Sequence, residues 1–93
     1  EQKYYEKVNG GMIKMRTEFN IIWRGKVNVL NLPYKFSNYD HGQTMTGSQD
    51  IYIPTERGMR TFVKYLRSIG VKHLNVVRIV RDDNGIYKRT KIV

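Results

Sequence analysis

The chain has 93 residues, 40% hydrophobic and 27% charged, with 17 Lys and Arg against 8 Asp and Glu and a formal net charge of +9. That size makes one domain whose core is small but adequate without staples, and the composition is ordinary globular material, neither disordered nor membranous. Zero cysteines exclude disulfides and thiolate metal sites, two histidines leave little for metal binding, and apolar runs of two or three residues do not span a bilayer. The expectation is a cytoplasmic protein with no cofactor and no membrane partner.

Residues 1–11, which precede Met12, read as a flexible leader or an added remnant, with the domain proper over 12–93. Positions 13, 15, 17, 19, 21 and 23 are Ile, Met, Thr, Phe, Ile and Trp, while 14, 16, 18, 20 and 24 are Lys, Arg, Glu, Asn and Arg. Alternation of that length predicts a strand with one buried face. Gly25-Lys26 suits a tight hairpin turn, with 27–32 as the returning strand and Pro33 ending its pairing. Residues 37–50 are polar and punctuated by glycine, without an apolar period, and read as a long loop. Ile51-Tyr52-Ile53 is a short strand stopped by Pro54.

The helix is expected over 55–69. Thr55 suits the N-cap, Glu56 the positive end of the dipole, and Gly70 the C-terminal stop. Met59, Phe62, Val63, Leu66 and Ile69 form one apolar stripe. A β-rich run over 73–81, an Asp82-Asp83-Asn84-Gly85 turn and a strand over 86–93 complete a β-β-β-α-β-β order. The fold class is therefore α+β, a small domain with one amphipathic helix on a largely antiparallel sheet. Phe19, Trp23, Phe36 and Phe62 belong to the core.

Charge is unevenly distributed. Residues 57–93 hold ten Lys and Arg against Asp82 and Asp83, a balance of +8, whereas residues 1–56 hold seven against six. A field that lopsided repels itself and is best tolerated beside a polyanion. Arg57, Arg60, Lys64 and Arg67 are spaced to stack along one side of the helix, about 120° from the apolar stripe at ~100° per residue. In the last hairpin, a two-residue turn at Asn84-Gly85 opposes Arg81 to Lys88 and Arg78 to Lys91; a wider loop opposes Arg78 to Arg89. Like charges directly opposed are destabilising unless phosphates bridge them. The two-residue register puts Val77, Ile79, Ile86 and Ile92 on the core side. Arg78, Tyr87, Arg89 and Lys91 then share the other face, where Tyr87 suits base stacking. Against this, charged helix faces are often merely solvated, and tyrosine is a good strand former anywhere.

The candidate binding residues are thus Arg57, Arg60, Lys64, Arg67, Arg78, Tyr87, Arg89 and Lys91. They point to a small non-enzymatic nucleic-acid-binding protein whose contacts are led by phosphates. Neutralising about four to six phosphates gives log K a slope of roughly −3 to −5 against log salt. A second reading is an inhibitor or adaptor of phage or mobile-element type that docks on an acidic surface of a nucleic-acid-handling protein. Exposed edge strands would also permit homodimers. Asp40, His41, Asp50 and His73 are the only candidates for acid–base or metal chemistry. An Asp-His dipeptide lacks metal-ligand spacing, which leaves a small metal-independent ribonuclease as the third reading.

Overall fold

A 14-residue strand, β2 (Gly11–Arg24), is the spine of the molecule. The computed structural model describes residues 2–8, 10–24, 36, 39–43 and 47–93. The alternation expected along β2 is present: Met15, Thr17, Phe19, Ile21 and Trp23 are buried, whereas Lys14, Arg16 and Arg24 are exposed. At about 3.4 Å per residue this strand spans most of the 47 Å long axis of the molecule.

Strand β1 (Gln2–Val8) pairs with the first half of β2, from Val8↔Gly11 to Gln2↔Thr17. It lies inside the segment read from sequence as a leader. Gly10 adopts φ +80 between the paired Val8 and Gly11, and Asn9-Gly10 is the same hairpin signal that Asn84-Gly85 carries. Strands β3 (His41–Gln43) and β4 (Gln49–Ile53) follow. The loop expected over 37–50 therefore contains a strand and the start of another. Edge pairing needs backbone groups rather than an apolar period; the Tyr52 amide, for example, donates to the Asp40 carbonyl at 2.8 Å. The hairpin expected at Gly25-Lys26, with its strand over 27–32, lies outside the described residues.

Strand β4 continues along the same edge of β2 that β1 began, from Phe19↔Ile53 to Trp23↔Gln49. The other edge pairs with β5 (Lys72–Asp82), and β6 (Gly85–Lys91) lies beyond it. Both β4 and β5 are antiparallel to β2. They are therefore parallel to each other with β2 between them, and the helix α1 (Glu56–Ser68) is the crossover that joins them.

Helix α1 begins as its sequence requires. The Thr55 hydroxyl accepts from the Gly58 amide at 3.1 Å, and Gly70 follows the last turn at φ +80. Met59, Phe62, Val63 and Leu66 pack on Phe19, Ile21, Trp23, Ile51, Ile53 and Val76. The Phe62 ring lies 4.8 Å from Phe36 and 5.5 Å from Trp23, centroid to centroid. The indole N–H of Trp23 donates to Gln49 at 3.0 Å, so this buried ring leaves no polar atom unpaired. The helix covers only the β2–β4 end. The first half of β2, with β1, the end of β5 and β6, extends beyond it as a helix-free arm.

Two expectations for the C-terminal strands change. The helix packs on Val76 rather than Val77, because the register shifts by a bulge between the pairs Ile22↔Asn75 and Arg24↔Lys72. His73 adopts φ 57 within that bulge. Of the four residues expected on the core side, only Ile79 is fully buried; Ile86 and Ile92 are 43% and 46% exposed. At the final turn the Asn84 amide donates to the Asp82 carboxylate at 2.7 Å, so the turn residues are Asp83-Asn84 and the closing pair is Asp82↔Gly85.

Candidate nucleic-acid interface

The helix cations stand where the spacing puts them. Arg57, Arg60, Lys64 and Arg67 are exposed on α1. Ten residues at about 1.5 Å each place the first and last ~15 Å apart. The two flanks of the helix are distinguished by their neighbours. Phe36 and Tyr39 lie against Phe62 and Tyr65 and, with Gly58 and Thr61, line a hollow of about 230 Å³ that Arg57 also borders. That flank faces the β3 edge, since Asp40 bonds the backbone of β4. At ~100° per residue, Arg60 and Arg67 lie on the opposite flank, toward β5, and Lys64, seven residues from Arg57, lies with it on the outward face between the two flanks.

The last hairpin divides its cations between the two sheet faces. Its register runs Arg78↔Thr90, Ile79↔Arg89 and Val80↔Lys88, then shifts by a bulge to Arg81↔Ile86. No like charges are directly opposed there, so the expected Arg78–Lys91, Arg81–Lys88 and Arg78–Arg89 pairs do not occur. One extra residue in β6 inverts the alternation beyond it. Arg78 sits on the helix side of the sheet, opposite Phe19, and Lys88 shares that side. Arg89 and Lys91, partnered by Ile79 and Val77, fall on the helix-free side. The expectation that Arg78, Tyr87, Arg89 and Lys91 share one face is therefore replaced by a two-sided arrangement. Tyr87 lies on β6, and its side chain is outside the described residues.

Cations of the helix and of the last hairpin therefore share one side of the sheet: Arg60, Lys64 and Arg67 on α1, and Arg78 and Lys88 on β5 and β6. Among the described residues, Arg60 alone of these has a carboxylate within salt-bridge distance, Glu56 at 2.8 Å, and that pair is exposed. Surface pairs of this kind are worth little and leave most of the cation's field available. Lys88 is absent from the residues singled out by sequence; its alternation with Arg89 was legible, but its face depended on the bulge.

The helix-free side is basic too, but mixed. Arg16 is directly opposite Arg81, a like-charge pair offset by the Glu18 carboxylate, which accepts from the Arg81 guanidinium. Arg16, Glu18, Arg81 and Asp40 border a hollow of about 330 Å³ on this side. The acid–base candidates are not brought together. His41 on β3 and His73 on β5 are separated by β4 and β2, three inter-strand steps or roughly 14 Å. Among the described residues, no three His, Asp or Glu side chains are placed to hold a metal ion. Among the described residues, no helix is long and apolar enough to cross a membrane.

Compared with protein-family models, curated proteins and solved structures, the chain matches none.

Proposed function

We propose that this chain is a small, non-enzymatic nucleic-acid-binding protein of the cytoplasm that holds its ligand chiefly by the phosphates. The observation that carries the reading is a shared face: Arg60, Lys64 and Arg67 stand on the same side of the sheet as Arg78 and Lys88, and among the described residues only Arg60 of these is in a salt bridge. Cations gathered on one side and outnumbering their carboxylates raise the energy of the free protein, and a polyanion laid across them lowers that cost. The ~15 Å from Arg57 to Arg67 equals about four base-pair steps of rise along the axis of a B-form duplex.

The test is a polarisation titration with single- and double-stranded RNA and DNA. Arg60→Glu combined with Lys64→Glu lowers affinity at least about tenfold, while the circular dichroism spectrum stays that of the parent. Log K falls against log salt with a slope of roughly −3 to −5 in the parent and about two units less in the variant. Unaltered affinity and slope in the variant refute the reading. The reading as a protein-docking inhibitor has its own support in the outer edge of β6, where no strand pairs among the described residues. Purified protein that ignores all four nucleic acids at low salt yet retains one defined acidic protein favours it.

A further inference from the structure

On the arm, the helix side of the sheet carries a hollow. Tyr4 and Glu6 of β1, Arg78 and Val80 of β5, and Lys88 and Thr90 of β6 surround a space of about 410 Å³, within the ~300–1,000 Å³ of ordinary ligand clefts. The register puts all six on the helix side of the sheet: Tyr4↔Met15, Glu6↔Ile13, Val80↔Lys88 and Arg78↔Thr90. Strands β1 and β6 are separated by β2 and β5, so the arm must curl toward this side for both to border one hollow, as strand twist favours.

We infer that this hollow is a subsite for one unstacked base of a single-stranded nucleic acid, with guanine preferred. The inference rests on the nucleic-acid reading above and specifies where that ligand is read rather than merely held. Each wall supplies a different part of a nucleotide's chemistry. Tyr4, half-buried, offers a ring face for stacking, which every base accepts. Arg78 and Lys88 are exposed, have no carboxylate within salt-bridge distance among the described residues, and suit the flanking phosphates. Thr90 adds a hydroxyl.

Glu6 makes the subsite selective. A carboxylate beside two phosphate-binding cations weakens a purely phosphate-led contact. Its two oxygens accept only, and guanine presents two adjacent donors, N1–H and the N2 amino group, on its Watson–Crick edge. Cytosine and adenine present one amino group there. Uracil and thymine present a single N–H between two carbonyls that repel a carboxylate. Those edges are paired inside a duplex, so the hollow selects unpaired strands.

The experiment uses the full chain and fluorescein-labelled decamers at low salt: all-uridine, the same with one central guanosine, and the thymidine and deoxyguanosine counterparts. The parent binds the guanine-containing decamer about fivefold or more tightly than its homopolymer in at least one sugar series. Glu6→Gln abolishes that preference and leaves homopolymer affinity within about twofold. Tyr4→Ala weakens both decamers about fivefold or more, whereas Tyr4→Phe, which keeps the ring and the packing, binds like the parent. Equal binding of the two decamers in both sugar series, or a preference that survives Glu6→Gln, overturns the subsite and leaves the phosphate-led reading standing if Arg60→Glu with Lys64→Glu still weakens binding. Failure of every decamer to bind overturns the subsite, and overturns the phosphate-led reading as well if duplex RNA and DNA also fail to bind.

Discussion

Arg57 occupies the first turn of α1, where the unpaired amides already carry partial positive charge. A cation there contributes nothing to the helix and adds to the repulsion of a chain at +9. Arg57→Glu should therefore stabilise the fold by ~0.3–1 kcal/mol, a rise of a few degrees in Tm, while lowering nucleic-acid affinity. Opposite signs in a thermal melt and a binding titration are the expected signature; a fall in both quantities would place Arg57 in the packing instead. Asn20 illustrates the contrary case. It is buried on the helix-free side, and its amide donates to the Asp50 carboxylate and the Ile51 carbonyl, each at 3.3 Å. A polar residue in a strand is here a structural clamp between β2 and β4.

At the scale of elements, the junction of β4 and α1 is closely packed. A Cβ at Gly58 would lie 2.9 Å from the Ile53 Cγ2 and 3.0 Å from the Thr55 hydroxyl. Ile53 is fully buried and Thr55 caps the helix, so neither moves freely. Glycine inside a helix ordinarily costs ~1 kcal/mol against alanine. Here that gain is outweighed by overpacking of ~1–3 kcal/mol, and Gly58→Ala should lower stability in urea unfolding by up to ~2 kcal/mol. An increase would show that the first turn has room to lift from the sheet. The β1–β2 hairpin is a second test of an element. Removing residues 2–8 uncovers one edge of β2 and Met15, which is fully buried. The loss of ~2 kcal/mol for one such side chain corresponds to a Tm lower by ~8–16 °C. Binding should remain salt-sensitive, because the helix stripe is intact, but the guanine preference should vanish with Tyr4 and Glu6. Unchanged melting would mean that β1 adds nothing to the fold.

For the whole molecule, the important consequence is that charge and core part company. The core lies under α1 at the β2–β4 end, where Phe62, Trp23, Leu66, Ile21, Ile51 and Ile53 are fully buried. The arm beyond it holds a smaller buried set, Met15, Thr17, Ile79 and Val80. Its cations lie on both sides of the sheet: Arg78 and Lys88 toward the helix, and Arg16, Arg81, Arg89 and Lys91 away from it. An arm of that kind has little to gain from further packing and much to gain from an anion on either side. The helix side is the better candidate because Arg78 and Lys88 there are in no salt bridge among the described residues and Glu6 is the one carboxylate lining their hollow, whereas on the other side Arg81 is paired with Glu18 and Asp40 stands beside it.

The residues of 13–24 and 55–69 announced their structures because alternation and the 3.6-residue period are local properties of the chain, legible wherever one face is apolar and the other is not. The class of fold, the Thr55 cap, the aromatic core and the helix stripe all follow from that local information. Strands β1 and β3 were less legible, since an edge strand is held by backbone pairing to a neighbour distant in sequence and need show no apolar pattern. Which cations share a surface was decided by the folded sheet alone. Single-residue bulges at His73 and Tyr87 set the phase of β5 and β6, and each inserted residue exchanges the two faces of everything beyond it. Composition determined how much positive charge there is, while hydrogen-bond register between strands far apart in the chain determined where it points.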